Sequence, residues 1–164
     1  DNPSVYQPDR VTTPTNLRIS AAADSQRRKE TETLFTDALN SYRELAKDNP
    51  AVYLPDVART LNNFGMLVSA DSQRHKEAET LYSEALTLHR ELAKDNPSVY
   101  QPDVANTLAA FGRAYLNWNE PSHALPLLQE SAQLFAPLAQ QAPGVFGRKH
   151  DHVLQLIEQA KAAK

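Results

Sequence analysis

The sequence of 164 residues contains no cysteine and only four glycines. The absence of cysteine excludes disulfide bonds, thiolate metal sites and cysteine redox chemistry, although it does not identify the cellular compartment. A glycine-rich phosphate loop, a nucleophile elbow and a paired-carboxylate arrangement are also missing. We therefore predict a non-catalytic protein that uses no cofactor.

Long apolar runs are missing as well. The longest uncharged stretch, Ser131–Gly147, contains Pro137 and Pro143 among its polar residues and is unsuited to cross a membrane. The N-terminal sequence DNPSVYQPDR has neither a basic head nor an apolar segment, so no secretory signal is visible. We expect no membrane association and a cytoplasmic location. The chain begins without methionine inside a phrase that recurs later, so we also expect a processed product or a fragment of a longer array.

The composition indicates one globular domain. Hydrophobic residues make up 41% of the chain, charged residues 23%, and the net charge is -3. This balance fits a folded protein with a continuous core, and it makes nucleic acid an unexpected partner.

An internal repeat organises the chain. The phrase DNPxVYxPD begins at Asp1, Asp48 and Asp95, at intervals of 47 residues, and a weaker echo, QAPGVFGRKHDHV, begins at Gln141. Residues 24–58 and 71–105 are identical at 25 of 35 positions. We divide the single repeat domain, residues 1–164, into units of about 1–47, 48–94 and 95–140, followed by a helix over about 148–163.

Each unit contains two stretches with helical spacing of apolar residues. The first includes Leu61, Phe64 and Val68, and the second continues from Ala78 to Leu92. The polar SADSQR between them is a turn, in which Asp71 or Ser72 is expected to cap the second helix. The pattern predicts an all-α solenoid of about three helical hairpins.

The repeated phrase is interpreted as the connection between units. Asn96 is expected to leave the helix in a left-handed conformation, Pro97 to stop it, and Pro102 to start the next helix. Val99 and Tyr100 then serve as apolar contacts between hairpins. The alternative interpretation of this phrase is a binding loop.

The sequence LNNFGMLVSADSQRHKEAETLYSEAL, residues 61–86, resembles a tetratricopeptide repeat, and residues 109–132 resemble it again. The pair PDVARTLNNFG and KEAETLYSEAL is most similar to the subset typified by kinesin light chains, here with an extended repeat of 46 to 47 residues. The resemblance implies a right-handed superhelix of hairpins with a C-terminal capping helix. It also implies a non-catalytic scaffold that binds a protein or peptide on a groove lined by the first helices.

The candidate groove residues are those that remain on the first helices once the apolar positions face the core. By resemblance, an asparagine at position 63 holds the backbone of an extended peptide, and arginines pair with an acidic residue or a terminal carboxylate. The alternative is that the asparagines are merely solvated. The predicted set is Asn16, Arg59, Asn62, Asn63, Met66, Asn106, Arg113 and Asn117.

The first unit departs from the pattern. Pro14 stands where Leu61 stands in the second unit, and Arg18 stands where Gly65 stands. We expect its first helix to begin at Pro14, with Thr13 as the cap, and to be short, displaced or frayed. The N-terminal end has no shielding helix, which favours a homodimer through this unit.

Other residues have a structural and a functional interpretation. His150 and His152 in KHDH are two apart and point in different directions on a helix, which disfavours a metal site. His89 is expected to be a half-buried packing residue, and Trp118 either covers the core or anchors a ligand. The main rival to a binding groove is a structural or regulatory segment of a larger signalling protein.

Overall fold

The computed structural model describes the backbone of residues 14–163 and the side chains of residues 24–163. This part of the chain is helical, with no strand. The chain divides into two compact units, residues 1–34 and 35–164, which differ from the repeat units. The hairpins and the groove lie in the second compact unit. The helices are α1 Pro14–Asp48, α2 Pro50–Val68, α3 His75–Asp95, α4 Pro97–Asn117, α5 Pro121–Gln141 and α6 Arg148–Ala162, with a five-residue π-helix, Pro143–Gly147, before α6. No helix in the described residues is long and apolar enough to cross a bilayer.

A single asparagine separates a second helix from the next first helix. Asn49 and Asn96 have φ of -140 and ψ of 75 and 77, and each amide still donates to the carbonyl four residues earlier. The proline that follows each asparagine begins the next helix, where its missing N–H needs no partner. The predicted left-handed exit is therefore wrong, because one residue near the β region turns the chain without it.

The prediction that the repeated phrase as a whole connects one helix to the next is also wrong. Pro102 lies inside α4 instead of at its start, because α4 already begins at Pro97. Val99 is 51% exposed, so it does not close the space between hairpins. Continuous helix from Pro97 directs Val99 to solvent and Val104 into the core. The surplus length of the repeat therefore lengthens the first helix at its N-terminus.

Glycine permits the close approach of the two helices in each hairpin. An added Cβ at Gly65 would lie 3.2 Å from the Tyr82 ring, and one at Gly112 would lie 2.7 Å from Cγ of Leu128. Tyr82 and Leu128 are buried. The two hairpins, α2 with α3 and α4 with α5, therefore pack through an aromatic or aliphatic side chain laid directly on helix backbone.

The first repeat unit does not form the expected hairpin. The turn SADSQR joins α2 and α3, whereas the nearly identical AADSQR, residues 22–27, is helical within α1. The helix does begin at Pro14, but it continues to Asp48, so the expectation of a short or frayed first helix is wrong. Thr13 lies outside the described residues. The two hairpins that do form have glycine at the matching positions, 65 and 112, whereas the first repeat unit has arginine at position 18.

Asp71 acts in the turn before α3 instead of capping the helix. Its Oδ1 accepts a hydrogen bond of 2.9 Å from the amide of Gln73, and its carbonyl accepts one from the amide of Arg74. The helix begins only at His75, and no side chain caps it. The predicted cap is wrong because the chain turns once more before the helix starts.

An aromatic row joins the successive hairpins. The Tyr82 ring stacks on Phe111 at 4.9 Å, and Phe111 stacks on Tyr115 at 4.8 Å. Burial, followed by a hydrogen bond to Glu79, raises the pKa of Tyr115 to about 12, so its hydroxyl remains protonated and donates to Glu79. Trp118 stacks on His75 and donates from Nε1 to the carbonyl of Ser69. Trp118 therefore packs across the hairpin boundary, which agrees with the structural interpretation.

The C-terminal helix closes the array as predicted. Val153, Leu156, Ile157 and Ala160 of α6 are buried, and α6 packs on α5 and α4. Ala142 before Pro143 has φ of -138 and ψ of 70, the same corner geometry as Asn49 and Asn96. The echo QAPGVFG is therefore a further corner, and α6 occupies the place of a first helix.

The glycine packing predicts a graded loss of stability. We expect Gly112→Ala to lower the free energy of unfolding by about 1 to 2 kcal/mol, because overpacking against buried Leu128 outweighs the gain in helix propensity. Gly65→Ala should lose less, since its Cβ would have more room. Urea denaturation followed by far-ultraviolet circular dichroism measures both. Gly144→Ala is the control, because nothing lies within 4 Å of its added Cβ; equal values for Gly112→Ala and Gly144→Ala would contradict the packing argument.

Candidate functional site

A groove of about 410 Å³ runs between the first helices of the array. One wall is the polar face of α2, which contributes Arg59, Asn62, Asn63 and Met66. The pattern of α2 explains this arrangement, since Leu61, Phe64 and Val68 point into the core and leave these residues on the opposite side. Met66 is 41% exposed in the groove wall.

The second wall is the matching face of α4. Asn106 and Arg113 line the groove there, together with Asp103 and the small residues Ala109 and Ala110. The structure thus brings together six of the eight residues that the sequence singled out. Asn117 is exposed at the last residue of α4 and does not line the groove. The side chain of Asn16 lies outside the described residues.

Asn62 has an unsatisfied carbonyl oxygen. Its Nδ2 donates to Oδ1 of Asn63 at 3.3 Å, while its own Oδ1 is buried and has no hydrogen-bond donor among residues 24–163. An unpaired buried acceptor costs about 1 to 3 kcal/mol.

The charges on the groove are predominantly positive. Arg59, Arg113 and Lys149 line it, against one lining carboxylate, Asp103. Arg59 forms an ion pair with Asp56, one turn earlier on α2. Arg113 is exposed and has no ion pair within the part of the chain that the structure describes. With Asp56 counted, α2 and α4 contribute two arginines and two aspartates, and Lys149 of α6 adds a further cation.

A buried polar pair forms part of the floor. His89 of α3 is 4% exposed and Thr107 of α4 is 1% exposed, and Nδ1 of the histidine is hydrogen-bonded to Oγ1 of the threonine at 3.0 Å. Burial lowers the pKa of His89; Asp103 opposes this shift, and Arg59 adds to it. His89 is thus buried, more deeply than the half-buried packing residue expected from the sequence.

The C-terminal helix forms a third side of the groove, which the sequence analysis did not predict. Lys149, His152 and Leu156 of α6 line it. Lys149 donates to Oδ1 of Asn106 at 3.2 Å, so this predicted ligand-binding asparagine already contacts α6. The sequence did contain a signal for this third side. The weaker copy of the repeated phrase at Gln141 comes just before α6, which places α6 in the row of first helices.

The histidines of KHDH do not meet other metal-ligating residues. Within the described residues, no group of three or more histidine, cysteine, aspartate or glutamate side chains is close enough to hold a metal ion. His152 instead lines the groove, and His150 is half-buried.

The comparison with protein families gives one match. The family model for the tetratricopeptide repeat matches residues 56–136, which begin within α2, end within α5 and cover most of both hairpins. The fold is a tetratricopeptide-like helical repeat. Tetratricopeptide repeats generally mediate protein–protein interaction. Searches of curated proteins and of solved structures found no match.

His89 makes the stability of the tetratricopeptide-like array depend on pH. Because burial lowers its pKa in the folded state below the ordinary 6.5, the unfolded chain binds more protons at mildly acidic pH. The stabilisation is present above pH 6.5 and is lost as the pH falls from there through the lowered pKa. We expect His89→Phe to flatten this dependence, since Phe135 fills the matching position of α5.

Urea denaturation at pH 7.5, 6.5 and 5.5 measures the effect. The free energy of unfolding changes by at most about 1.4 kcal/mol per pH unit when the unfolded chain binds one proton more than the folded chain. Exposed Asn117, which does not titrate, is the control, and Asn117→Ala should retain the wild-type slope. Parallel slopes for wild type and His89→Phe would show that His89 does not carry the dependence.

Proposed function

We propose that the groove between α2, α4 and α6 binds an extended segment of a partner protein and that the chain is a non-catalytic interaction scaffold. The observation that carries the proposal is the convergence of Arg59, Asn62, Asn63, Met66, Asn106 and Arg113 on one groove of about 410 Å³. The general interaction role of tetratricopeptide repeats supports the same function.

The chemistry of the groove suits a peptide backbone. A side-chain amide donates and accepts at once, so Asn63 can pair with the N–H and the C=O of one residue in an extended peptide. Exposed Met66 provides an adaptable apolar contact. We also place the array in the kinesin-light-chain-like subset, on the resemblance of PDVARTLNNFG and KEAETLYSEAL.

The groove predicts which variants lose binding. Peptides of 12 residues are selected from a displayed random library on the wild-type chain, and their affinities are measured by fluorescence anisotropy. We expect Asn63→Ala combined with Arg113→Ala to weaken binding about tenfold or more, because one amide pair and one charge-assisted contact are lost.

Asn117→Ala is the matched control, since Asn117 lies on α4 outside the groove. Its affinities should equal those of wild type. If the double variant bound as well as Asn117→Ala, the peptides would occupy another surface. If the wild-type chain selected no peptide, the rival role as a structural or regulatory segment of a larger protein would be favoured.

Self-association through the N-terminal unit is a second proposal, and exposed Leu34 supports it. Leu34 is 69% exposed, whereas Leu81, its counterpart 47 residues later, is partly buried against the core. We expect wild type to dimerise at high concentration and Leu34→Lys to remain monomeric, because a charge replaces the apolar contact. Light scattering measures the mass; Leu154→Lys is the control at an exposed leucine of α6. A monomeric wild type would exclude this interface.

A further inference from the structure

Each corner between helices is followed by an exposed valine. The valine row consists of Val52, Val99 and Val145, which are 54%, 51% and 63% exposed. Each is the third residue of the helix that begins after its corner. The three corner residues have φ of -140, -140 and -138 and ψ of 75, 77 and 70. The valines therefore occupy equivalent positions, and they line one edge of the array, opposite the turns within the hairpins.

The weaker copy of the repeated phrase shows which side chains outlast its divergence. Residues 95–101 are DNPSVYQ and residues 141–147 are QAPGVFG, so the proline, the valine and an aromatic ring remain. Pro143 begins a helix, and Phe146 packs against the core. Val145 belongs to no core cluster of the described residues. Its retention therefore has no explanation in the packing of the array.

The helix itself gains little from these valines. A β-branched side chain loses rotamer freedom in a helix, and an exposed one leaves its apolar surface in water. One exposed apolar residue is ordinary on a protein surface. Three at the same position of successive corners form a regular apolar edge. The copy of the phrase that contains Val5 lies outside the described residues.

Two of the corners also carry a carboxylate four residues before the valine. Asp48 and Asp95 are exposed at the last residues of α1 and α3, and neither forms an ion pair among residues 24–163. The lysine before each aspartate is paired with a glutamate on its own helix. The third corner has Gln141 at this position. The first two corners thus combine an apolar side chain with an uncompensated negative charge, which suits apolar and basic partner residues.

The spacing of the row fits a helical partner. The first helices pack in sequence, since α4 contacts both α2 and α6, and packed helices lie about 8 to 10 Å apart. Residues seven apart in a helix lie on one face and are separated by about 10.5 Å. In a strand, residues on one face are about 6.6 or 13 Å apart. A helix with an apolar residue at every seventh position can therefore place one beside each valine.

We propose that the valine row is a second interaction surface and that its occupant is an amphipathic helix of a partner protein, with apolar residues seven apart and lysine or arginine beside them. Charge complementarity with Asp48 and Asp95 and the match in spacing carry this assignment. No valine of the row lines the groove. The inference therefore goes beyond the proposed function and does not depend on it.

A displayed library of 21-residue helical peptides is the probe for the full chain. Each peptide has leucine at its positions 4, 11 and 18, and the other positions are drawn from alanine, glutamine, glutamate and lysine. We expect wild type to select peptides richer in lysine than in glutamate. Val52→Gln combined with Val99→Gln should weaken their binding about tenfold or more in fluorescence anisotropy, because two apolar contacts are lost. Leu154→Gln, at a 43% exposed leucine outside the row, is the matched control and should bind like wild type.

The carboxylates give a second, independent measurement. Asp48→Asn combined with Asp95→Asn should weaken binding about two- to tenfold, because two solvated charge pairs are lost. This deficit should shrink between 50 and 500 mM salt, since screening weakens the ion pairs. Asp37→Asn is the control, at an exposed aspartate of α1 away from the corners. An equal loss in Asp37→Asn would show that net charge, not the corner, attracts the peptides.

Stability separates a binding role from a structural one. The two valine-to-glutamine substitutions should keep the wild-type midpoint in urea, because the side chains are exposed and glutamine is the better helix former. A clearly lower midpoint would assign the valines to the fold and overturn the inference.

The remaining outcomes distinguish this surface from the groove and from self-association. If no helical peptide is selected, the inference fails and the groove proposal is unaffected. If the selected peptides bind the valine variant normally but lose affinity for Asn63→Ala with Arg113→Ala, they occupy the groove and the inference fails. If light scattering shows a wild-type dimer that the valine variant does not form, a second copy covers the row and the assignment to a partner protein is overturned.

Discussion

The groove depends on a constraint at the back of the helices that line it: the approach of a second helix to the backbone of a first helix at a glycine. An added Cβ at Gly112 would overlap Leu128 at 2.7 Å, and one at Gly65 would lie 3.2 Å from the Tyr82 ring, closer than an ordinary contact. The buried Tyr82 continues into Phe111 of the next hairpin, so the same contact that closes one hairpin also joins it to its neighbour. The relative positions of α2 and α4, and hence the two walls of the groove, follow from this packing.

The groove combines a fixed floor with solvated walls. His89 and Thr107 satisfy each other below the surface, so a polar pair is buried without a large penalty. The cations on the walls remain exposed, where their hydration is retained and their charge is available to a partner. The arrangement separates the buried contact from the exposed charges: the buried pair joins α3 and α4, and the exposed groups lie outside that contact.

The sequence predicted the features that arise from repeated local patterns. Helical spacing predicted the buried faces of α2, α3, α4 and α6, and the residues left over on α2 and α4 line one groove. It did not predict the corners, because Asn–Pro is compatible with a loop or with a one-residue break between helices. Lys149 was missed because the apolar stripe of α6 indicated a shield, and that stripe alone does not reveal which neighbours its other side faces. The echo at Gln141 was the sequence signal for this position, and the corner geometry at Ala142 agrees with it by placing α6 in the row of first helices.

The hexapeptides SADSQR and AADSQR show why local sequence does not determine the turn. They differ at one position, yet the first joins two helices and the second lies within α1. A turn requires the two flanking helices to gain enough contact to offset the helical hydrogen bonds that are broken. In the second unit, Gly65 allows that contact with Tyr82; in the first, Arg18 at the matching position would place a long side chain where the ring must pack. The continuous helix α1 keeps its hydrogen bonds, and the first repeat unit lacks the glycine that permits the close contact in the second.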